Sequence, residues 1–259
     1  MPKIFYTSDL HLNHVKIGEP GYEPRRFETF GGLEGMNDAL ISNWNAIVSQ
    51  EDTVRVVGDL AMGLHENIPP VVQRLNGKVE LISGNHDFRP KSKRNMLSKL
   101  VAEFVREKVV DLPGIGPVLL KHTPSEEKAI EYGIQICGHV HHWWTERFVE
   151  SNGKFGIMVN VGVDVRNWKP VPEEKLIEIV NRAIKLQKLM SGTKFWKVIQ
   201  NRSEGVTITH DKESDVIKIR MLPPYPTLKS KIDETSAWLA TNLKNDEVES
   251  FEISNWSKQ

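Results

Sequence analysis

Five short apolar stretches, rich in valine and isoleucine, each run directly into a residue able to bind a cation, and this recurrence constrains the chain more than anything else in it. Residues 3–7 lead into Ser8-Asp9-Leu10-His11, residues 53–57 into Gly58-Asp59, and residues 78–82 into Gly84-Asn85-His86-Asp87. Residues 118–120 lead to His122, and residues 134–137 to Gly138-His139-Val140-His141. Apolar runs of this length, bounded by glycine and proline, predict strands buried on both faces. Residues 36–48, with Met36, Leu40, Trp44, Ile47 and Val48 at near-helical spacing, predict an intervening helix, as do 67–75 and 93–104 more weakly. Strands alternating with helices predict an α/β fold.

A longer helix is expected over 172–190, where Pro172 opens it, Glu173 and Glu174 suit the positive end of its dipole, and Leu176, Ile177, Ile179, Val180, Ile184 and Leu189 form a stripe. Ser191-Gly192 ends it, which divides the chain into domains 1–190 and 191–259. In the second, residues 194–200, 205–209 and 215–221 read as strands, 211–214 as a turn, and 228–243 as a helix after Pro223-Pro224-Tyr225-Pro226. The expectation there is a small α+β appendage.

Composition removes several function classes. Lysine plus arginine and aspartate plus glutamate each number 34, and residues 191–259 carry ten of each sign, so no part of the chain is a basic arm that binds nucleic acid by charge alone. Apolar residues make up 39% of the chain without a run long enough to span a bilayer, and the N-terminus lacks a signal-peptide pattern. The one cysteine, Cys137, forms no internal disulfide and suits a reducing compartment. A cytoplasmic location is the resulting expectation.

The residues that close the strands carry the chemistry. Loops beyond the carboxyl ends of strands are where α/β proteins assemble ligand sites. Asp9, His11, Asp59, Asn85, His122, His139 and His141 make seven oxygen or imidazole donors with no thiolate. Such a set suits divalent first-row metals such as manganese, iron, cobalt, nickel or zinc, and is too rich in nitrogen for a calcium or magnesium cage. Seven donors exceed what one ion accepts if it keeps a place for water, whereas two ions sharing one carboxylate use them all.

Taken in order, Asp9-Leu10-His11, Gly58-Asp59, Gly84-Asn85-His86-Asp87, His122 and Gly138-His139-Val140-His141 closely resemble the signature of the metallophosphoesterase, or calcineurin-like phosphoesterase, superfamily. The small bacterial and phage branch is also similar at Leu12-Asn13-His14, Arg26-Phe27, Met36-Asn37, Asn43-Trp44-Asn45, Asp52-Thr53-Val54 and Leu75-Asn76-Gly77-Lys78. The resemblance spans residues 3–172 and implies a four-layer αββα sandwich of two mixed sheets between helices. It implies Asp9, His11 and His141 on one metal, Asn85, His122 and His139 on the other, and Asp59 bridging. It further implies His86 near the leaving group, as general acid, with Asp87 orienting it.

The implied activity is hydrolysis of small phosphodiesters, cyclic nucleotides included, by in-line attack of a hydroxide shared between the ions. A nuclease or a phosphomonoesterase would use the same centre, and a non-catalytic scaffold is a further alternative that the complete donor set disfavours. Charge balance disfavours the nuclease, which wants an extended basic groove.

Other residues carry less. His14 reads as a solvated loop histidine ahead of a phosphate contact, and Arg89, Lys91, Lys93 and Arg94 as a solvated basic loop or a steering patch for phosphate. Trp143 and Trp144 read as loop-burying residues ahead of a base-stacking platform, and Cys137 as a small core residue. His65, His142 and His210 receive no role.

Overall fold

The computed structural model describes residues 2–18 and 26–191, together with five strands between residues 207 and 254. Packing divides the chain into two units: Met1–His142 with Val149–Lys185, and Trp143–Phe148 with Leu186–Gln259. The division falls inside the last helix, before the boundary expected at residue 191.

In chain order the first unit's strands are β1 (Ile4–Thr7), β2 (Thr53–Val56), β3 (Lys78–Ile82), β4 (Glu103–Val105), β5 (Lys108–Leu112), β6 (Gly116–Leu120), β7 (Ile134–Cys137), β8 (Glu146–Ser151, which reaches into the second unit), β9 (Lys154–Asn160) and β10 (Val171–Pro172). The helices are α1 (Arg26–Phe30), α2 (Leu33–Asn45), α3 (Ile68–Val72), α4 (Asn85–Phe88), α5 (Lys91–Leu100), α6 (Glu126–Tyr132) and α7 (Glu173–Met190). One five-stranded sheet has the order β10-β1-β2-β3-β4, with β1 to β4 parallel and β10 antiparallel. The other has the order β5-β6-β7-β9-β8, with β6, β7 and β9 parallel and β5 antiparallel. The fold is thus α/β with two mixed sheets, as expected.

The core lies on one face of the first sheet. Phe5, Val54, Val56, Val79 and Leu81 meet Met36, Leu40 and Trp44 of α2, Ile68 and Val72 of α3, and Leu97 of α5. Helix α2 forms because its apolar residues recur every three to four positions, and Trp44 Nε1 anchors it by donating to Asn76 O at 2.9 Å. Helix α6 packs on β6, β7 and β9 of the second sheet; Ser125 Oγ caps its start and Gly133, at a φ of 76°, ends it.

Several expectations need correction. The first sheet is not apolar on both faces: Arg55 donates to Tyr6 Oη at 2.6 Å and to Glu80 at 3.2 Å, Lys108 bridges Glu80 and Glu103, and Tyr6 donates to Glu173 at 2.8 Å. Mutual pairing makes these half-buried charges tolerable there. Burial opposes ionisation of Glu80, but Lys108 and Arg55 outweigh it and hold its carboxyl below the usual range. The helix expected over 93–104 stops at Leu100, because Glu103–Val105 pairs with β3, a tertiary contact that helical spacing does not register. Near residues 67–75 only Ile68–Val72 is helical, preceded by a 3₁₀ turn at His65–Asn67, with Pro69 and Pro70 filling the first turn.

The appendage also differs. Its described residues form five strands, β11 (Thr207–Asp211), β12 (Val216–Arg220), β13 (Thr227–Ile232), β14 (Ala237–Asn242) and β15 (Val248–Ser254), in the antiparallel order β11-β12-β15-β14-β13. The helix expected over 228–243 is therefore the hairpin β13–β14. Its register sets Ala237 opposite Ile253 and Leu239 opposite Phe251, a distant apolar partnership that outcompetes local helical periodicity. The strand expected over 194–200 and most of the 211–214 turn lie outside the described residues.

Candidate metal centre

Parallel strands deliver their carboxyl ends to one edge, and the strand-closing residues gather there. The loops after β1 and β2 run side by side: Asp9 N donates to Gly58 O at 3.0 Å, His11 N to Asp59 O at 2.9 Å, and Leu12 N to Leu60 O at 3.1 Å. The second sheet's loops join them, with Gly138 N donating to His122 O at 3.0 Å and Val163 N to Ser8 O at 3.1 Å.

The backbone bends sharply as it leaves β1, β2 and β7. Asp9, His11, Asp59, His139 and His141 all hold positive φ, between 47° and 73°. For residues other than glycine this conformation costs about 1 to 3 kcal/mol each, and such strain concentrates at functional sites. Gly58 and Gly138 are each required by close approach. A Cβ on Gly58 would overlap the His122 ring, and one on Gly138 would overlap Ser8 Oγ and Asp9 Oδ2.

The donors fall into two adjoining groups. In the first, Asp9, His11 and His141 bring ligand atoms within 4.8 Å of one another. In the second, His122 Nε2 lies 3.2 Å from Asp59 Oδ2 and 3.1 Å from Asn85 Oδ1, and His139 Nδ1 also lies 3.1 Å from Asn85 Oδ1. Asp59 stands between them, its Oδ2 being 3.6 Å from His11 Nε2. Asp9 is tied in by the His139 N–H, which reaches both its oxygens at 3.0 and 3.1 Å. All seven residues expected as ligands therefore converge.

The electrostatics fit cations. Burial pushes Asp9 up, while for Asp59 the same burial is outweighed by His122, which holds its carboxyl well below the usual range. Burial works against a charged His122, but the Asp59 and Asp9 carboxylates overcome it and raise the ring to about 9. Burial drives His11 far below its ordinary value, so its ring is neutral. Both of its ring nitrogens are buried without a hydrogen-bond partner, a costly arrangement for imidazole unless a ligand completes it. A neutral histidine with unsatisfied nitrogens beside two carboxylates fits a divalent cation, and the mixed O and N donor set fits a transition metal.

His86 sits beside this cluster with a side chain about one-third exposed: its N–H donates to Asp59 Oδ1 at 3.0 Å and its Nε2 lies 4.0 Å from Asp59 Oδ2. Asp87 does not orient its ring. The buried Asp87 carboxylate accepts the N–H groups of Asp59 at 2.6 Å, Leu60 at 3.1 Å and Gly84 at 2.9 Å, so the turns around it consume its oxygens. His14 is not a solvated loop residue: it is only 8% exposed, and its ring centre lies 5.1 Å from that of His11 and 5.5 Å from that of His86. Burial, then the neighbouring His86, lowers His14 to about 4. Lys93 leaves the basic loop too; it is buried, and its ammonium donates to Ala61 O at 2.5 Å and His86 O at 2.7 Å. Trp144 and Cys137 are buried and Trp143 is exposed.

Sequence reasoning missed the support behind the first group. His141 Nδ1 meets Asp164 Oδ2 at 2.9 Å, and Arg26, fully buried, grips Asp164 through Nε at 2.9 Å and Nη2 at 2.7 Å. The same guanidinium donates to Asp9 O at 2.8 Å and Leu10 O at 3.0 Å. Asn160, at the end of β9, donates to His141 O at 2.7 Å. The signal available for this layer was Arg26 within the branch similarity; Asp164 belongs to no motif and follows a strand that was not anticipated.

Comparison with known proteins supports the fold but names no activity. No family model matches the sequence. Over 185 residues the chain is 30% identical to "Uncharacterized protein MJ1445" of Methanocaldococcus jannaschii, covering 70% of this chain and 93% of that protein. It is 26% identical to the "Gene 66 protein" of Mycobacterium phage D29, covering 70% of this chain and 97% of the phage protein. Among solved structures, the protein of unknown function AQ665 from Aquifex aeolicus aligns with a TM-score of 0.52 at 21% identity, over 69% of this chain and all of that one, which shows a shared fold. The chain belongs to the family of the M. jannaschii protein MJ1445.

Proposed function

We propose that this protein is a dinuclear-metal-dependent phosphodiesterase that hydrolyses small phosphodiesters, nucleotides among them. One observation carries the reading: the Asp59 carboxylate lies 3.6 Å from His11 on one side and 3.2 Å from His122 on the other, where a residue shared by two cations would have to sit. Asp9, His11 and His141 would hold one cation, and Asn85, His122 and His139 the other. Bound there, two divalent cations, manganese first, would supply Lewis acidity toward phosphoryl oxygens and an acidified water.

The remaining roles belong to side chains. His86, at the open side of the cluster, holds a proton at Nε2 that it delivers to the departing oxygen. Asp87 fixes the two loops that carry Asp59 and Asn85, which makes it a positioning residue. Asp164 and Arg26 hold His141 with Nδ1 occupied, so that Nε2 is its free ligand atom. Among the described residues no helix is long and apolar enough to cross a membrane, and the buried thiol of Cys137 suits a reducing cytoplasm.

The test joins elemental analysis to a substrate panel on protein stripped of metal and reloaded with one metal at a time. The reading expects two ions per chain, weakened binding of both in Asp59→Asn, and faster turnover of a chromogenic diester than of the matching monoester. Cyclic nucleotides and single-stranded DNA complete the panel. A reversed ranking would favour a monoesterase, rapid cleavage of long DNA a nuclease, and inactivity at full metal loading a scaffold.

A further inference from the structure

Beside the proposed centre, two arginines share one aromatic ring. The Arg106 guanidinium carbon lies 3.9 Å from the centre of the Phe88 ring and that of Arg94 lies 5.0 Å from the same centre. By these distances the two cations stand within about 9 Å of each other, inside the distance over which salt leaves charges interacting. Neither is matched with a carboxylate among the described residues, although the chain as a whole has as many acidic as basic side chains. Stacking on the ring accommodates one guanidinium well. A second guanidinium on the same ring adds a like charge that water only partly screens, so the pair presents two sets of donors to which an anion is attracted.

Their place in the fold says what that anion belongs to. Phe88 closes α4, three residues after Asn85 and hence on the side of the short helix that carries this proposed ligand. Arg106 directly follows β4, which runs parallel to β3, and Ser83 N donates to Val105 O at 2.7 Å where the two strands end. It therefore emerges at the carboxyl edge that delivers Asp9, Asp59 and Asn85, one strand beyond the last of them, a step of roughly 5 Å. Arg94 reaches the ring from α5, a helix without an acidic residue, and Arg89 and Lys91 stand exposed beside it.

We propose that Arg94 and Arg106, clasping Phe88, form an anion subsite for a phosphate other than the one hydrolysed. The substrate is then a phosphodiester that carries at least one further phosphate, such as a phosphorylated nucleotide ester or a short oligonucleotide. Two planar guanidiniums can each offer paired donors to the oxygens of a phosphate group, and a plain aryl diester carries no second phosphate to receive them. This inference rests on the phosphodiesterase reading for the identity of the scissile bond, but the anion subsite itself does not need turnover.

The experiment compares kcat/KM on bis(p-nitrophenyl) phosphate with kcat/KM on a p-nitrophenyl nucleotide diester bearing an extra terminal phosphate, for the metal-loaded wild type, R94Q/R106Q and R94K/R106K. The preference for the phosphorylated substrate should fall about 10- to 100-fold in the glutamine pair and be partly kept by the lysine pair. In parallel, adenosine 3′,5′-bisphosphate and a short oligodeoxynucleotide are titrated calorimetrically into metal-stripped chain at two salt concentrations. Binding should weaken about tenfold or more in R94Q/R106Q, weaken with salt, and survive in H139A; the tighter probe identifies the source of the phosphate. Arginine-dependent binding without diester turnover would keep the subsite and sink the phosphodiesterase reading. Diester turnover with an unchanged preference, or bisphosphate binding indifferent to both arginines, would overturn the subsite and leave the pair as packing around Phe88. Thermal unfolding of each variant separates these outcomes from misfolding.

Discussion

His141 and Asp164, 23 positions apart in sequence, meet at 2.9 Å between Nδ1 and Oδ2, and the carboxylate is itself fully buried against Arg26. Burial would keep Asp164 neutral, but Arg26 and His141 together hold it ionised, below the usual carboxylate range. A metal-binding histidine whose second nitrogen is held this way has a fixed ring and a fixed tautomer.

Asp164→Asn should therefore weaken metal binding about 10- to 100-fold, the usual effect of losing a partner behind a ligand. It also leaves Arg26 buried with its charge uncompensated, which costs about 3 to 5 kcal/mol of stability. Metal titration and thermal unfolding measure the two effects separately. Unchanged metal affinity in a destabilised variant would remove His141 from the ligand set.

Gly138→Ala tests whether the close approach of the loops builds the centre. The added methyl would meet Ser8 Oγ and Asp9 Oδ2, neither of which is the free end of a flexible chain. Forcing the loops apart costs about 1 to 3 kcal/mol, a tolerable loss for the fold. Circular dichroism should thus stay native while elemental analysis shows metal content falling. Full metal occupancy in this variant would show that the cradle tolerates the methyl.

His86 should be distinguishable from the metal ligands by leaving group. A general acid matters more when the departing oxygen is a poor leaving group. His86→Ala should lose about 100- to 10,000-fold in kcat/KM on a ribose-oxygen leaving group and clearly less on nitrophenolate. His139→Ala should lose similar amounts on both, since charge stabilisation serves every substrate. Equal losses for His86→Ala at full metal occupancy would mean that another group donates the proton.

Acid stability should depend on Asp52, far from these loops in role. Its oxygens accept the N–H of Lys3 at 2.7 Å and that of Ser49 at 2.8 Å, and these two bonds hold its carboxyl below the ordinary 3.8. Because the folded value is the lower one, the stabilisation is complete above pH 3.8 and is lost as pH falls through the folded value. Asp52→Asn should lower the unfolding midpoint at neutral pH and narrow its gap to the wild type under acid. A gap constant from neutral pH to strong acid would show that the charge contributes nothing.

The sequence by itself determined the α/β class, the strands that end at Asp9, Asp59, Asn85, His122 and His139, and the seven donors that gather, because strand periodicity and strand-closing residues are local features of the chain. Tertiary structure decided what depends on partners distant in sequence. Asp87 serves the backbone of Asp59 because three N–H groups converge on it, and His14 and Lys93 are drawn out of solvent beside residues distant in sequence, His86 for the first and Ala61 for the second. Asp164 became visible as a partner of His141 only once β9 brought it to the same edge. Residues 228–243 carry apolar spacing that suits a helix, yet β15 offers them a sheet edge, and backbone pairing with an apolar partner outweighs a local propensity worth at most about 1 kcal/mol per residue.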